Sequence, residues 1–303
     1  MAISRAQLAK ELEPGLNALF GLEYGRYENE HSEIFDEESS DRAFEEEVML
    51  GGFSTAPSKG EGTAISFDEA RETYTARYTH ETIALAFSIT EEAIEDNLYD
   101  RLASRYTKAL ARSMAQTKQI KAAAILNNAF LAGANAIGDG VALCSNAHPS
   151  LSGNQTNLLA TAADLNETSL EQMLIDIAGF TDERGLKIAV RGTKLVIPKE
   201  LQFIAERVLN SNLRSGTADN DNNAMKNMGM LPEGAVVNHF LTDTDAYFIK
   251  TDAPNGFKYF NRAAIKTAME GDFDTGNMRF KARERYSFGV SDWRSVFGTP
   301  GAA

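Results

Sequence analysis

Four histidines, one cysteine and several acidic clusters are the side chains in this sequence with the types to do chemistry. Cys144 and His148 stand four residues apart, close enough for an imidazole to draw the proton from a thiol and make a nucleophile. His148 is followed by Pro149, which marks a turn, and a buried thiol beside an incidental histidine is the simpler reading. His31, His80 and His239 are scattered and form no ligand pattern. His80–Glu81 opens like a zinc-protease helix, but no second histidine follows. Asp219, Asp221 and Asn223 imitate the start of a calcium loop, yet Ala224 stands where glycine must turn the chain and Met230 where a bidentate glutamate is needed. GEGTAI (60–65) and GDGVAL (138–143) begin like dinucleotide fingerprints but lack the third glycine and the preceding strand. These residues argue against a metal or cofactor and leave a Cys144/His148 hydrolase as the weakest of the functional readings. No enzyme activity and no cofactor are expected.

The totals narrow the choice further. The chain has 303 residues, room for about two domains. With 43% hydrophobic and 24% charged residues it can build a real core. One cysteine excludes a disulfide framework. No run of about 18 apolar residues occurs, so no membrane partner is expected, and a cytoplasmic site of synthesis fits. Net charge is −13, and residues 1–50 carry 13 acidic and 4 basic side chains, a balance of −9. Such a protein is a poor candidate for gripping nucleic acid tightly.

The elements that would position these residues are unusual. Residues 27–47 are acidic and poor in apolar side chains, and alone they would not order. Residues 51–68, GGFSTAPSKGEGTAISFD, look like the tip of a long hairpin whose large apolar side chains are Phe53, Ile65 and Phe67. Such a hairpin is not stable by itself in water. Tyr74, Ala76 and Tyr78 alternate in one phase and Ile83, Leu85, Phe87 and Ile89 in the other, which predicts two strands with a bulge or twist at 80–82. Glu91–Ala132 contains no proline or glycine and repeats apolar residues every three or four, which predicts a very long helix capped by Thr90 and stopped at Gly133. Ser169–Asp182 reads as an amphipathic helix. LKIAV and KLVIP read as buried strands, 198–208 as a helix, 210–227 as a polar loop, and VVNHFL and AYFIKT as strands joined by a turn. In MRFKARERYSFGVSDWRSVFG (278–298), Met278, Phe280, Ala282, Tyr286, Phe288 and Val290 share one face. Arg279, Lys281, Arg283 and Arg285 share the other, so one long strand with a basic face is expected. A projecting hairpin, an acidic arm and an overlong helix make sense together if identical copies order one another.

The order of parts resembles the major capsid proteins of tailed bacteriophages, the HK-ninety-seven fold, an α+β architecture. ARERYSFGVSDWRSVFG (282–298), THETIALAFSITEEAIEDNLYD (79–100) and LTDTDAYFIKT (241–251) are similar to segments of the Mu-like major head subunit family. The resemblance implies an N-terminal arm at 1–46, an E-loop with its strands at 47–89, a P domain with the spine helix at 90–164, an A domain at 165–262 and the returning P-domain strands and tail at 263–303. It implies hexamers and pentamers that close into an icosahedral virion shell around double-stranded DNA, the DNA being touched weakly and non-specifically. It also implies a portal, a separate scaffolding protein (the chain starts directly at the arm), and room for a decoration protein. An encapsulin-type nanocompartment shares the fold and is the alternative. Phe53, Lys59, Ile65, Phe67, Glu45, Glu46, Arg279, Arg283 and Arg285 are the expected intersubunit contacts. Lys59 falls in the loop where some members of the fold form a lysine–asparagine crosslink, which a single lysine does not establish.

The strand register has a direct test. Phe288→Ala should cost about 3 to 5 kcal/mol in denaturant unfolding if its ring is buried as the alternation implies.

Overall fold

The computed structural model describes residues 5–90, 92–93, 99–133, 137–213, 222–272 and 274–302. Helix α1 spans Arg5–Tyr24, with Pro14 inside it. A single 3-10 turn at Glu30–Glu33 leads to β1 (Asp36–Ser39), and β2 (Phe44–Gly51) and β3 (Arg71–Thr79) form the hairpin. Strand β4 (Glu81–Ile89) precedes the long helix α2 (Tyr99–Asn127). Then come α3 (Glu167–Ala178), β5 (Gly192–Ile197), α4 (Gln202–Asn210), α5 (Ala224–Met228), β6 (Ala235–Val237) and β7 (Tyr247–Thr251). Strands β8 (Phe257–Gly271), β9 (Met278–Val290) and β10 (Val296–Thr299) close the chain.

The strands form two four-stranded sheets and the separate hairpin. One sheet runs β1-β8-β9-β4, with β1 parallel to β8 and the other pairs antiparallel. The other runs β10-β7-β5-β6. The mixture of sheets and helices is the expected α+β class. Phe280 and Ala282 of β9 meet Leu16 and Phe20 of α1 and Leu110 and Met114 of α2 in one core. A larger core joins the end of α2, α3, the second sheet and Trp293. Each fully buried large side chain there contributes roughly 1.5–3 kcal/mol through removal of apolar area from water.

Several expectations change on contact with the structure. The long helix ends at Asn127, short of Gly133: the backbone tightens into i→i−3 turns, Ala129 N to Leu126 O and Leu131 N to Asn128 O, while the Asn127 side chain donates to Phe240 O and accepts from Thr242 N at 3.0 Å each. Residues 91 and 94–98, its expected entry, lie outside the described residues, although Thr90 Oγ1 accepts from Ala93 N as a cap does. The 29 residues of α2 still reach about 43 Å. The phase slip at His80 is a change of sheet: β3 pairs with β2, and β4 pairs with β9. LKIAV is irregular, with Ala189 in the left-handed region at φ 53°. VVNHFL supplies only Val236 and Val237 to the three-residue β6, and β5 lies between β6 and β7, so the two make no hairpin. The long C-terminal strand breaks after Val290, and β10 crosses to the other sheet. The longest strand, β8, and helix α1 were not legible in the pattern. Phe288 is half-buried and stacks on Tyr259 at 4.7 Å.

The acidic segment 27–47 does not float. Ile34 and Phe35 enter the core, and its carboxylates meet lysines of the same chain. Glu33 pairs with Lys194 at 2.8 Å, and Asp36 with Lys250 at 3.5 Å. Glu38 and Glu47 both pair with Lys258, Glu38 at 3.0 Å. Burial alone would lower the Lys258 pKa, but the hydrogen bonds it donates to Glu47 and Glu38 outweigh it and hold the ammonium above its ordinary value.

A second buried charge sits where the alternation of β9 looked apolar. Glu284 occupies an inward position between Ala282 and Tyr286 and is 1% exposed. Lys118 of α2 meets it at 2.7 Å, and the Tyr24 hydroxyl donates to it at 3.1 Å. Burial pushes the Tyr24 phenol well up, and the Glu284 charge adds to that. The pair locks α1, α2 and β9 together, and breaking it from one side leaves an unpaired buried charge. Lys118→Met should therefore cost about 3–5 kcal/mol in urea unfolding, and adding Glu284→Leu should restore most of the loss.

Candidate assembly surface

Three features of the exterior stand out: the hairpin tip, its base, and the outer face of the first sheet. The tip places the apolar side chains in solvent. Phe67 is 98% exposed, Ile65 69% and Phe53 59%. Leu50 and Val48 of β2 are also exposed, and Lys59 lies among the exposed tip residues. The tip's ends are closed by polar contacts, with Ser54 N and Oγ donating to Asp68 Oδ2 at 2.7 and 2.6 Å. Arg184, from the loop after α3, donates to Glu69 O at 2.6 Å and lies 3.7 Å from Asp68. Among the described residues no apolar core covers the tip.

The base is held firmly. Tyr78 of β3 lies against Gly289, where a Cβ would come within 2.5 Å of the ring, so only glycine lets the strand approach. Gly138, at φ +103°, passes under the Thr75 carbonyl, where a Cβ would come within 2.2 Å. The Tyr78 hydroxyl and Ser291 Oγ are hydrogen-bonded, and Ser291 donates to Glu47. The hairpin is thus rigid where it leaves the body and bare where it ends.

The outer sheet face gathers the basic row that the alternation predicts. Arg279, Lys281 and Arg283 are exposed, and Arg285 is half-buried with its Nε unpartnered. Register sets Ser88, Ala86, Ala84 and Thr82 of β4 beside them as a lane of small side chains. Arg279 pairs with Asp272. Glu45 instead meets Ser40 and Arg42, and Glu46 meets Arg77, so neither reaches the arginine row within one chain.

The residues that looked most chemical serve the fold. His148 gives both ring nitrogens to Asp139 (2.6 Å) and Asn157 (3.0 Å) and stacks flat on Trp293. Cys144 is buried, and burial pushes its thiol up, away from a reactive thiolate. With no bond between the two, the hydrolase reading loses its support. His31 packs on Tyr259 and Phe288, His80 bonds Ser287 and Ser40, and His239 bonds Glu30. Asn223 caps α5, while Asp219 and Asp221 lie outside the described residues. Among the described residues no group of His, Cys, Asp and Glu could hold a metal ion. No helix among them is long and apolar enough to cross a membrane.

Comparison with known proteins decides the family. Residues 73–298, well over half of the chain, match the family model described as phage capsid protein. The chain belongs to the phage capsid protein family. No curated protein sequence matches this capsid protein significantly. Its fold is similar to that of the capsid of cyanophage P-SCSP1u (TM-score 0.59, 10% identity, 88% of this chain and 86% of that one). It is also similar to the capsid of Myoviridae phage XM1 (TM-score 0.53, 13% identity, 89% of each chain). The virus-like particle from Pyrococcus furiosus superposes comparably (TM-score 0.54, 9% identity, 94% of this chain and 97% of that one). At these identities the structures carry the fold alone, the HK-ninety-seven fold. The family match separates the readings: this is the major capsid protein of a tailed bacteriophage, and the nanocompartment alternative is the weaker one.

The tip's polar closure has a pH signature. Hydrogen bonds from the Ser54 side chain and backbone lower the Asp68 carboxyl from the ordinary 3.8 to about 2. A depressed carboxyl stabilises while ionised, so the closure is complete above the ordinary value and is lost as pH falls toward 2. The protection factor of the Ser54 amide against hydrogen exchange should stay constant from neutral pH to about pH 4, and Asp68→Asn should lower it across that range.

Proposed function

We propose that the subunits of this capsid protein join as hexamers and pentamers into an icosahedral shell that encloses double-stranded DNA, and that the hairpin tip is the main intersubunit contact. The exposed trio Phe53, Ile65 and Phe67 carries the proposal. Large apolar side chains at the end of a rigid projection have nothing on their own chain to bury them, and a contact of this kind forms between copies. The outer sheet face is a fitting receiver. Its alanine lane suits flat apolar groups, and Arg283 and Arg285 suit Glu61 and Glu69, acids within the tip. Arg279, Glu45, Glu46 and Lys59 are further contacts of the same kind.

In this reading residues 1–46 are the N-terminal arm, 47–89 the E-loop, 90–164 and 263–303 the P domain, and 165–262 the A domain. Pairing of β10 with β7 supports moving Val296–Thr299 to the A domain. The protein acts without catalysis, assembles in the bacterial cytoplasm with a portal and a separate scaffolding protein, and accepts a decoration protein on its exterior.

Phe67→Ser with Phe53→Ser should leave subunit unfolding within about 0.5 kcal/mol, because both rings are exposed, while abolishing closed particles in electron micrographs. Equal yields of particles from both proteins would refute the contact, and particles absent even from the unaltered protein with scaffold would refute the shell.

A further inference from the structure

The long helix carries a charge asymmetry that the contacts above do not use. From Arg101 to Asn127 its sequence holds six basic residues and no acidic one, in a chain of net charge −13. Lys118 is spent on Glu284 and Lys121 on Glu81. Arg105, Lys108 and Arg112 are exposed and have no ion pair among the described residues. At 3.6 residues per turn they share an arc of about 60° and span about 10 Å of helix. The opposite side of α2, with Leu110, Ala111 and Met114, is packed on α1 and β9. The cations therefore face away from the sheet and its arginine row.

The chemistry of this stripe selects its partner. A protein contact needs an apolar centre with few charges. Here the exposed neighbours between and just beyond the cations are Ala109 and Gln116, the apolar Ile120 stands two turns past Arg112, and the nearby Tyr106 ring leans on Phe87 at 5.8 Å. The acidic arm of a second copy is a poor source of charge, because four of its carboxylates are engaged within their own chain: Glu30 by His239, Glu33 by Lys194, Glu38 and Glu47 by Lys258. A polyphosphate asks for charge alone, and duplex DNA offers one negative charge per about 1.7 Å of axis, or about six opposite this stripe.

We propose that Arg105, Lys108 and Arg112 form a phosphate-contacting stripe for duplex DNA on the side of the subunit that becomes the inner wall. The inner-wall placement rests on the shell reading above. Each subunit offers three weak, sequence-independent contacts, repeated over the wall. Apart from the arginine row on the far side of the sheet, the remainder of the subunit is acidic and repels the polyanion, so on its own side the stripe sets where DNA can lie against protein.

The test uses the unassembled full-length protein and a fluorescent duplex of about 30 base pairs, titrated between about 50 and 200 mM salt. Three phosphate contacts give a slope of about −2.7 in log K against log salt, or about a 40-fold loss of affinity over that range. Arg105→Gln/Lys108→Gln/Arg112→Gln should flatten the slope to near zero, and Arg105→Gln alone should reduce it by about 0.9. Lys199→Gln, an exposed lysine just before α4, should leave it unchanged. No duplex binding by the unaltered protein, or an undiminished slope in the triple and single variants, would overturn the proposal. So would a triple variant that binds DNA normally but no longer forms particles, since the stripe would then be a protein contact. Failure of the unaltered protein to form particles, with the slope as expected, would sink the shell reading and leave the phosphate contact standing.

Discussion

Lys258 is the point on which the exterior of this subunit depends. It rises from β8 between two carboxylates of different elements, Glu38 of β1 and Glu47 of β2, and is largely withdrawn from water. Two acids on one lysine would repel each other without it. With it, the acidic segment is fixed to the sheet and the hairpin is given its exit direction. Glu47 also accepts from Ser291, which bonds Tyr78, so the same carboxylate fastens both strands of the hairpin to the end of β9. A bare tip can serve assembly only if its base points one way, and this cluster supplies the direction.

What the sequence made legible follows the strength of its periodicities. The strict alternation of β9 gave its register and its basic face, and the glycine-rich interval between two alternating runs gave the hairpin. The 3.6-residue repeat gave most of α2. Tertiary preference decided the rest. Strand β8 mixes Asn261, Arg262 and Lys266 into its apolar run and carries two irregularities in its pairing with β9, so no clean period of two survives. Helix α1 contains Pro14 and glycines and shows little amphipathic contrast, yet Leu16 and Phe20 find a partner in α2. The acidic segment looked unable to order because its partners, Lys194, Lys250 and Lys258, lie more than 150 residues further along the chain.

The exposure of the tip and of the basic row was legible in residue type and alternation. Phe53, Ile65 and Phe67 are as exposed as a tip requires, and the arginine row faces outward. Glu45 and Glu46 meet Arg42, Ser40 and Arg77 within the chain. Glu284 was the missed residue. It breaks the apolar phase of β9 at one position, and a charge in the inward phase of an otherwise regular strand is the signal that a buried partner exists elsewhere. Lys118, on a helix whose Arg105, Lys108 and Arg112 face solvent, is that partner.

The crossing of the chain after Val290 has a mechanical meaning. Residues 293–295 make one tight turn between the two sheets, with Trp293 and Arg294 almost fully enclosed. Arg294 grips Glu183, and the Asn157 amide donates to the carbonyls of Leu143, Trp293 and Val296. The last strand of one sheet therefore continues into the other through a knot of directional bonds with little slack. A wall built from such subunits would carry tension along a covalent tie instead of across a sliding seam, so outward pressure would load backbone before it loads side-chain packing.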